Sequence, residues 1–263
     1  MEYDVNLSIL FTELDLLRRP AAAAEAGFDA VEFWWPFAAA VPPDAEVERF
    51  ARAVEDAGVR LVGLNFCAGD MPAGERGVLS DPARAAQFAD NVDVVVGLGE
   101  RLGCRKFNAL YGNRVDGVAT AEQDEVATAG LLRASGALAR IGGTVLIEPV
   151  SGTPGYPLRT AADALAVIDR VERAGGSGNL RLLFDVYHLV VNGDDPRAVL
   201  GSSAGSIGHV QIADAPGRGE PGTGEIDFGA VFAQLAAAGY DGHVGLEYRP
   251  SGSSAGSFGW IGR

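Results

Sequence analysis

The sequence predicts a single-domain (β/α)8 barrel. Three observations carry that reading: a β-rich run follows a glycine seven times, an eighth run opens the chain, and acidic or amide residues end the late strands. Successive joints lie roughly 27 to 45 residues apart, about one β-α unit each. Eight such units in 263 residues match the usual size of this barrel.

The elements follow in order. Val5–Leu10 is the first expected strand. Gly27 precedes the run to Phe33, Gly58 the run Val59–Leu64, and Gly103 the run Cys104–Leu110. Gly142 and Gly143 precede Thr144–Glu148, and Gly178 precedes Asn179–Asp185. Gly205 precedes Ser206–Ile212, and Gly239 precedes Tyr240–Glu247. A glycine suits the residue after a helix because it takes positive φ without a Cβ clash. Asp81-Pro82 and Asp195-Pro196 place an N-cap before an N1 proline. Thr120 and Gln123 have capping-box spacing. Between Asp44 and Gly58, Val47, Phe50, Val54 and Ala57 recur at helical spacing. The short apolar strands suit a sheet covered on both faces. No composition break divides residues 1–263, and the Ser/Gly-rich tail 251–263 leaves room only for a short or truncated last helix.

Composition narrows the function. Hydrophobic residues form 48% and charged residues 21%, which excludes a largely disordered chain. The formal charge of -14 argues against a nucleic-acid partner, which calls for a basic face. Two cysteines, Cys67 and Cys104, are too few for a disulfide scaffold. The N-terminus shows no basic region before an apolar run, and no long apolar stretch could span a membrane. These features point to a reduced, cytoplasmic enzyme. An open dinucleotide-binding sheet would often place a glycine-rich turn after its first strand. Phe11-Thr12-Glu13-Leu14 follows here instead.

In a barrel, functional side chains gather at the C-terminal ends of the strands. Glu148, Asp185, Gln211 and Glu247 end the fifth to eighth expected strands. Three carboxylates at one mouth repel unless a cation or protons intervene. These four residues are therefore the expected ligands of a divalent metal, and their hard oxygens favour Mg²⁺ or Mn²⁺. His188 falls in the mouth loop as a candidate substrate partner, His209 beside Gln211 as packing or support, and His243 at the barrel bottom. Cys67 lacks an evident activating base and Cys104 is expected to be buried, so neither is the expected nucleophile. Two glycine-rich loops, Ala68–Gly77 and Pro216–Glu225, each set an arginine near a glutamate. One reading is a mobile loop held by surface ion pairs. The other is a lid whose Arg76 or Arg218 meets an anionic substrate.

Several segments resemble the hydroxypyruvate isomerase family of xylose-isomerase-like barrels. They are Asn6–Phe11, Ala73–Gly77, Ile147-Glu148-Pro149, Asp185–His188, Gly208–Asp214, Arg218–Ile226 and Glu247-Tyr248. The resemblance spans roughly Asn6 to Pro250, and its most specific part is Gly208–Ile226. It implies metal ligation by Glu148, Asp185, Gln211 and Glu247, catalysis by the paired Glu148 and Glu247, and substrate contacts from His188 and Arg218. The implied reaction interconverts hydroxypyruvate and tartronate semialdehyde. A 2-oxo-tetronate isomerase, a ketose 3-epimerase and a non-catalytic sugar-binding barrel remain alternatives. A small hydroxy-keto acid or ketose is thus the expected partner, and the sequence leaves open whether copies of the chain assemble. Two departures from the family pattern bear on the pocket: Leu64 stands where a histidine often precedes Asn65, and the loop 150–156 is short.

Overall fold

The computed structural model describes residues 1–262. Eight parallel strands close into a barrel in the order β1 to β8, and β1 pairs with β8. The strands are β1 (Glu2–Asn6), β2 (Ala30–Phe33), β3 (Arg60–Asn65), β4 (Lys106–Asn108), β5 (Thr144–Ile147), β6 (Leu180–Asp185), β7 (Ile207–Ile212) and β8 (His243–Leu246). Around them lie α1 (Arg19–Glu25), α2 (Asp44–Ala57), α3 (Ala85–Leu102), α4 (Thr120–Ala139), α5 (Ala161–Arg173), α6 (Val186–Asn192), α7 (Pro196–Ser203) and α8 (Phe228–Ala237). The expected fold class is the observed one. Among the described residues, a short 3-10 turn, Ala255–Phe258, follows β8, where the sequence leaves room for a short last helix.

Local chemistry explains most boundaries. Gly58 and Gly103 end α2 and α3 in the left-handed region, at φ 69° and 71°, where a Cβ would clash. Asp81 and Asp195 accept backbone N–H groups from Ala83 and Arg197, as their Asp-Pro pairs predict. Phe50 and Val54 point α2 into the core.

Four expectations need correction. The first strand is Glu2–Asn6 rather than Val5–Leu10. The chain turns at once, because the N–H groups of Ile9 and Leu10 both bond the Asn6 carbonyl, so the second half of the apolar run helps build the mouth. Thr120 caps nothing: Ala119 occupies the N-cap, and the Gln123 amide instead bonds the backbone of Val115 and Val118. Gly205 sits in a 3-10 turn, Ala204–Ser206, without positive φ. Strand β4 is three residues long, because the chain leaves the sheet after Asn108 to form the mouth.

Candidate active site

The C-terminal ends of the strands open into a cavity of about 790 Å³. Its wall includes Glu148, His188, Arg218, Glu247, Arg76 and Asn65. Strand alternation decides which side chains reach it. Asn65 lines the cavity, whereas Leu64 is buried in the apolar core. The Leu64 departure therefore does not border the pocket, contrary to the sequence reading. Val150 and Ser151 of the short loop do.

Glu148 directly follows β5, Asp185 ends β6, Gln211 is the penultimate residue of β7, and Glu247 directly follows β8. The register pairs Asp185 with Gln211 and Gln211 with Gly245. All four side chains are buried at the same end. Asp185 has two tasks. Its Oδ1 accepts the His188 N–H at 3.0 Å and caps α6, while its Oδ2 lies 3.7 Å from His188 Nε2. The same Nε2 is 3.8 Å from Glu148 Oε1. Burial and the neighbouring Asp185 push the Glu148 carboxyl up to about 8. Burial also pushes Asp185 up to about 6. Glu247 rises well above the carboxylate range through burial, which outweighs the attraction of Arg218.

Arg218 answers part of that conflict. Its Nη2 donates to Glu247 Oε1, and its guanidinium lies 5.3 Å from the Tyr187 ring, within cation–π range. The sequence places Arg218 only near substrate, but the structure ties it to a candidate catalytic carboxylate. Its backbone is left-handed, at φ 59°, a conformation that costs on the order of 1–3 kcal/mol for a residue with a Cβ. The Arg249 N–H holds the Arg218 carbonyl at 2.7 Å. Nor is the loop around it a loose flap. Asp214 accepts N–H groups from Ala215, Gly222, Gly224 and Ile226 at 2.8 to 3.0 Å. Arg76, in the other loop, donates to the carbonyls of Met71 and Glu75. Its neighbour Glu75 pairs instead with Arg84 at 2.6 Å.

Below the mouth lies a polar layer that the sequence reading missed. Asn108 donates to Glu148 Oε2 at 2.6 Å. Asn6 donates to Glu247 Oε2 at 2.9 Å and to Glu32 Oε1 at 3.0 Å. Glu32 Oε1 also accepts from Gln211 at 2.7 Å, and its Oε2 lies 2.8 Å from His209 Nε2. His209 thus supports the site from beneath. Deeper still, both oxygens of the buried Asp4 lack a hydrogen-bond partner. Single polar residues inside short apolar strands were the available signal, as in Ala30-Val31-Glu32-Phe33. His243 lies at the bottom, beside Arg60 and Glu2, and both cysteines are buried.

Two residue groups among the described residues bring metal-ligating atoms close together: Glu148, Asp185 and His188, and the deeper Asp4, Glu32 and His209. The upper group suits a hard divalent cation. Glu247 lies at the same end but outside this close group, its oxygens bonded by Arg218 and Asn6, and the buried Gln211 Oε1 has no hydrogen-bond partner. An orphaned amide oxygen beside carboxylates is what such an ion recruits.

The xylose isomerase-like TIM barrel family matches residues 20–261. A Streptomyces coelicolor protein that provisionally bears the name hydroxypyruvate isomerase is 52% identical, covering 98% of this chain and 95% of its own. Hydroxypyruvate isomerase of Escherichia coli is 34% identical over 99% of this chain and 98% of its own. A 2-oxo-tetronate isomerase of Cupriavidus necator is 35% identical over 98% and 96%. A Brucella melitensis crystal structure titled as a family 2 AP endonuclease superposes with a TM-score of 0.88, at 33% identity over 99% and 97% of the two chains. Among the described residues, no helix is long and apolar enough to cross a membrane.

Proposed function

The chain belongs to the xylose isomerase-like TIM barrel family, among its hydroxypyruvate isomerases, and we propose that it interconverts hydroxypyruvate and tartronate semialdehyde. The enzyme class, an isomerase, follows from that membership. The substrate rests on one observation: the mouth carries a second guanidinium, Arg76, that no carboxylate of the described residues engages. Burial and the neighbouring Arg218 push that guanidinium down. An anionic ligand relieves the repulsion between the two arginines. A planar guanidinium matches a carboxylate with two parallel hydrogen bonds.

Glu148, Asp185, Gln211 and Glu247 would hold the divalent ion, Mg²⁺ or Mn²⁺ by ligand hardness. When bound, it supplies Lewis-acid stabilisation of negative charge on the substrate oxygens. The chain's own residues move the protons. One of the paired glutamates, Glu148 or Glu247, takes the proton from C3 of hydroxypyruvate, giving an enediolate. A glutamate returns a proton to C2, while the oxygen-bound proton passes from the C3 hydroxyl to the C2 oxygen. Both carboxylates line the cavity while being largely buried, the placement a general base and its conjugate acid need to take and return a proton at carbon. His188 presents Nε2 between Glu148 and Asp185, where it can orient a substrate hydroxyl.

The similarity to 2-oxo-tetronate isomerase supports a longer hydroxy-keto acid as the second reading. It needs the same carboxylate anchor and the same proton transfer. The test is NMR of both acids and of neutral ketoses in D₂O, with Mg²⁺ or Mn²⁺ added. Hydroxypyruvate should convert fastest, with solvent deuterium entering at C2 of the product. Faster turnover of a neutral ketose would replace this reading, and binding without carbon–hydrogen exchange would make the protein a sugar-binding barrel.

A further inference from the structure

We infer that Glu32, inside the barrel, is a positioning residue that fixes the Gln211 side-chain amide with its oxygen toward the mouth. The inference rests on the metal-site reading above and concerns how that site is held in shape.

Strand β2 points Glu32 into the barrel, where it is 3% exposed. Three donors surround its carboxylate. Asn6 Nδ2 and Gln211 Nε2 reach Oε1 at 3.0 and 2.7 Å, and His209 Nε2 reaches Oε2 at 2.8 Å. Both its oxygens are thus engaged by side chains of the fold. An ionised carboxylate only accepts hydrogen bonds, so Gln211 must turn its NH₂ toward it. The two ends of a primary amide point apart. Gln211 Oε1 is thereby directed away from Glu32, and it is the buried oxygen left without a partner. A glutamine without this neighbour could present either end to a cation, and the NH₂ end cannot ligate one. The same Glu32 oxygen holds Asn6, whose remaining N–H reaches Glu247 Oε2.

The fold keeps space for this group. A Cβ added to Gly63 of β3 would lie 2.9 Å from Glu32 Oε2, and one on Gly245 of β8 would lie 2.8 Å from Glu32 Oε1. Neither glycine has positive φ. Their lack of a side chain serves room rather than backbone conformation. The niche for Glu32 is thus bounded on both sides by residues without side chains.

The test measures Mn²⁺ dissociation constants by electron paramagnetic resonance on the intact chain. Glu32→Gln should weaken Mn²⁺ binding 10- to 100-fold, the scale of lost support behind a metal ligand. In a Gln211→Ala background the same change should cost less than about threefold, because the amide it acts through is gone. A merely structural Glu32 would weaken binding by the same factor in both backgrounds, and that result overturns the inference. So does Mn²⁺ affinity within about twofold of the parent in Glu32→Gln. If that variant does not fold, Gly63→Ala, which displaces the carboxylate without meeting Gln211, carries the test: unchanged Mn²⁺ affinity there overturns the inference. Absence of Mn²⁺ binding by the parent protein overturns the metal reading itself. Binding by the parent with indifference to Glu32 overturns only the inference.

Discussion

The backbone N–H of Ser151 donates to His188 Nδ1 at 3.0 Å, and the Ser151 Oγ lies 2.7 Å from the same nitrogen. Because a backbone N–H can only donate, Nδ1 must accept, and the neutral ring carries its proton on Nε2. That proton faces Glu148 and Asp185. Burial, reinforced by Arg218 and Arg76, holds His188 well below the ordinary histidine value. Long-range ¹H–¹⁵N NMR should show the Nε2–H tautomer, still neutral at pH 6. Ser151→Ala removes a side-chain hydrogen bond but leaves the backbone donor. A neutral hydrogen bond is worth about 0.5–1.5 kcal/mol, so kcat/KM should fall at most about tenfold. A protonated ring at pH 6 would show that the loop does not set its state.

Glu148→Gln and Glu247→Gln each remove a candidate base while keeping side-chain size. Loss of a general base costs on the order of 10²-fold or more in kcat. Both variants should lose at least that, together with solvent deuterium incorporation at carbon. Far-UV circular dichroism should remain unchanged, because each substitution relieves carboxylate repulsion. Glu247→Gln also leaves Arg218 without its ion-pair partner, so its gain in metal-free stability should be the smaller of the two. Near-normal turnover in either variant would rule out this pair.

The raised carboxyls make the metal-free protein pH-sensitive. Glu148 moves from 4.5 unfolded to about 8 folded. Between those values the folded state binds more protons than the unfolded state, so stability falls as pH rises. The contribution of Glu148 is complete below about pH 4.5 and is lost as pH climbs through about 8. Asp185 adds the same sign over a narrower range, up to about 6. With a chelator present, Tm should therefore decline from pH 6 to 8 more steeply in the parent than in Glu148→Gln. Saturating Mn²⁺ should flatten that decline, because a bound cation favours the ionised carboxylates. Equal slopes in the parent and Glu148→Gln would show that Glu148 is not the titrating group.

The barrel was legible because its signals are local. Gly58 and Gly103 mark helix ends by a backbone need that few other residues meet. Glu148, Asp185, Gln211 and Glu247 each close or follow an apolar run, so the fold places them at one end without knowledge of any contact. What escaped was set by long-range pairing. Glu32 meets Gln211 across 179 positions of sequence, and Asn6 meets Glu247 across 241. No local pattern marks a polar residue in a buried strand as support for another strand. The turn at Leu7 was missed for a related reason. An apolar run looks the same whether it pairs as a strand or bends to line a mouth, and here the Asn6 carbonyl captures two N–H groups and bends it.

The two arginines test the substrate proposed above. A carboxylated substrate brings a permanent negative charge to a mouth that already holds Glu148, Asp185 and Glu247. A cation must offset it, and Arg218 is largely engaged with Glu247. Arg76 bonds only backbone carbonyls, so it can turn to a ligand without breaking an ion pair. Removing it should therefore act selectively. A hydrogen bond to a charged group is worth about 1.5–3 kcal/mol, so Arg76→Ala should lower kcat/KM for hydroxypyruvate roughly ten- to a hundredfold. Turnover of a neutral ketose, which has no carboxylate to anchor, should change less than about threefold. Arg218→Ala should behave differently. It frees Glu247 as well as removing a positive charge from the mouth, so it should lower kcat for acid and ketose alike, with a further loss for the acid. Steady-state kinetics on both substrates separates the two roles. If Arg76→Ala affects acid and ketose equally, the mouth has no dedicated carboxylate anchor there, and a neutral ketose becomes the better substrate for this geometry.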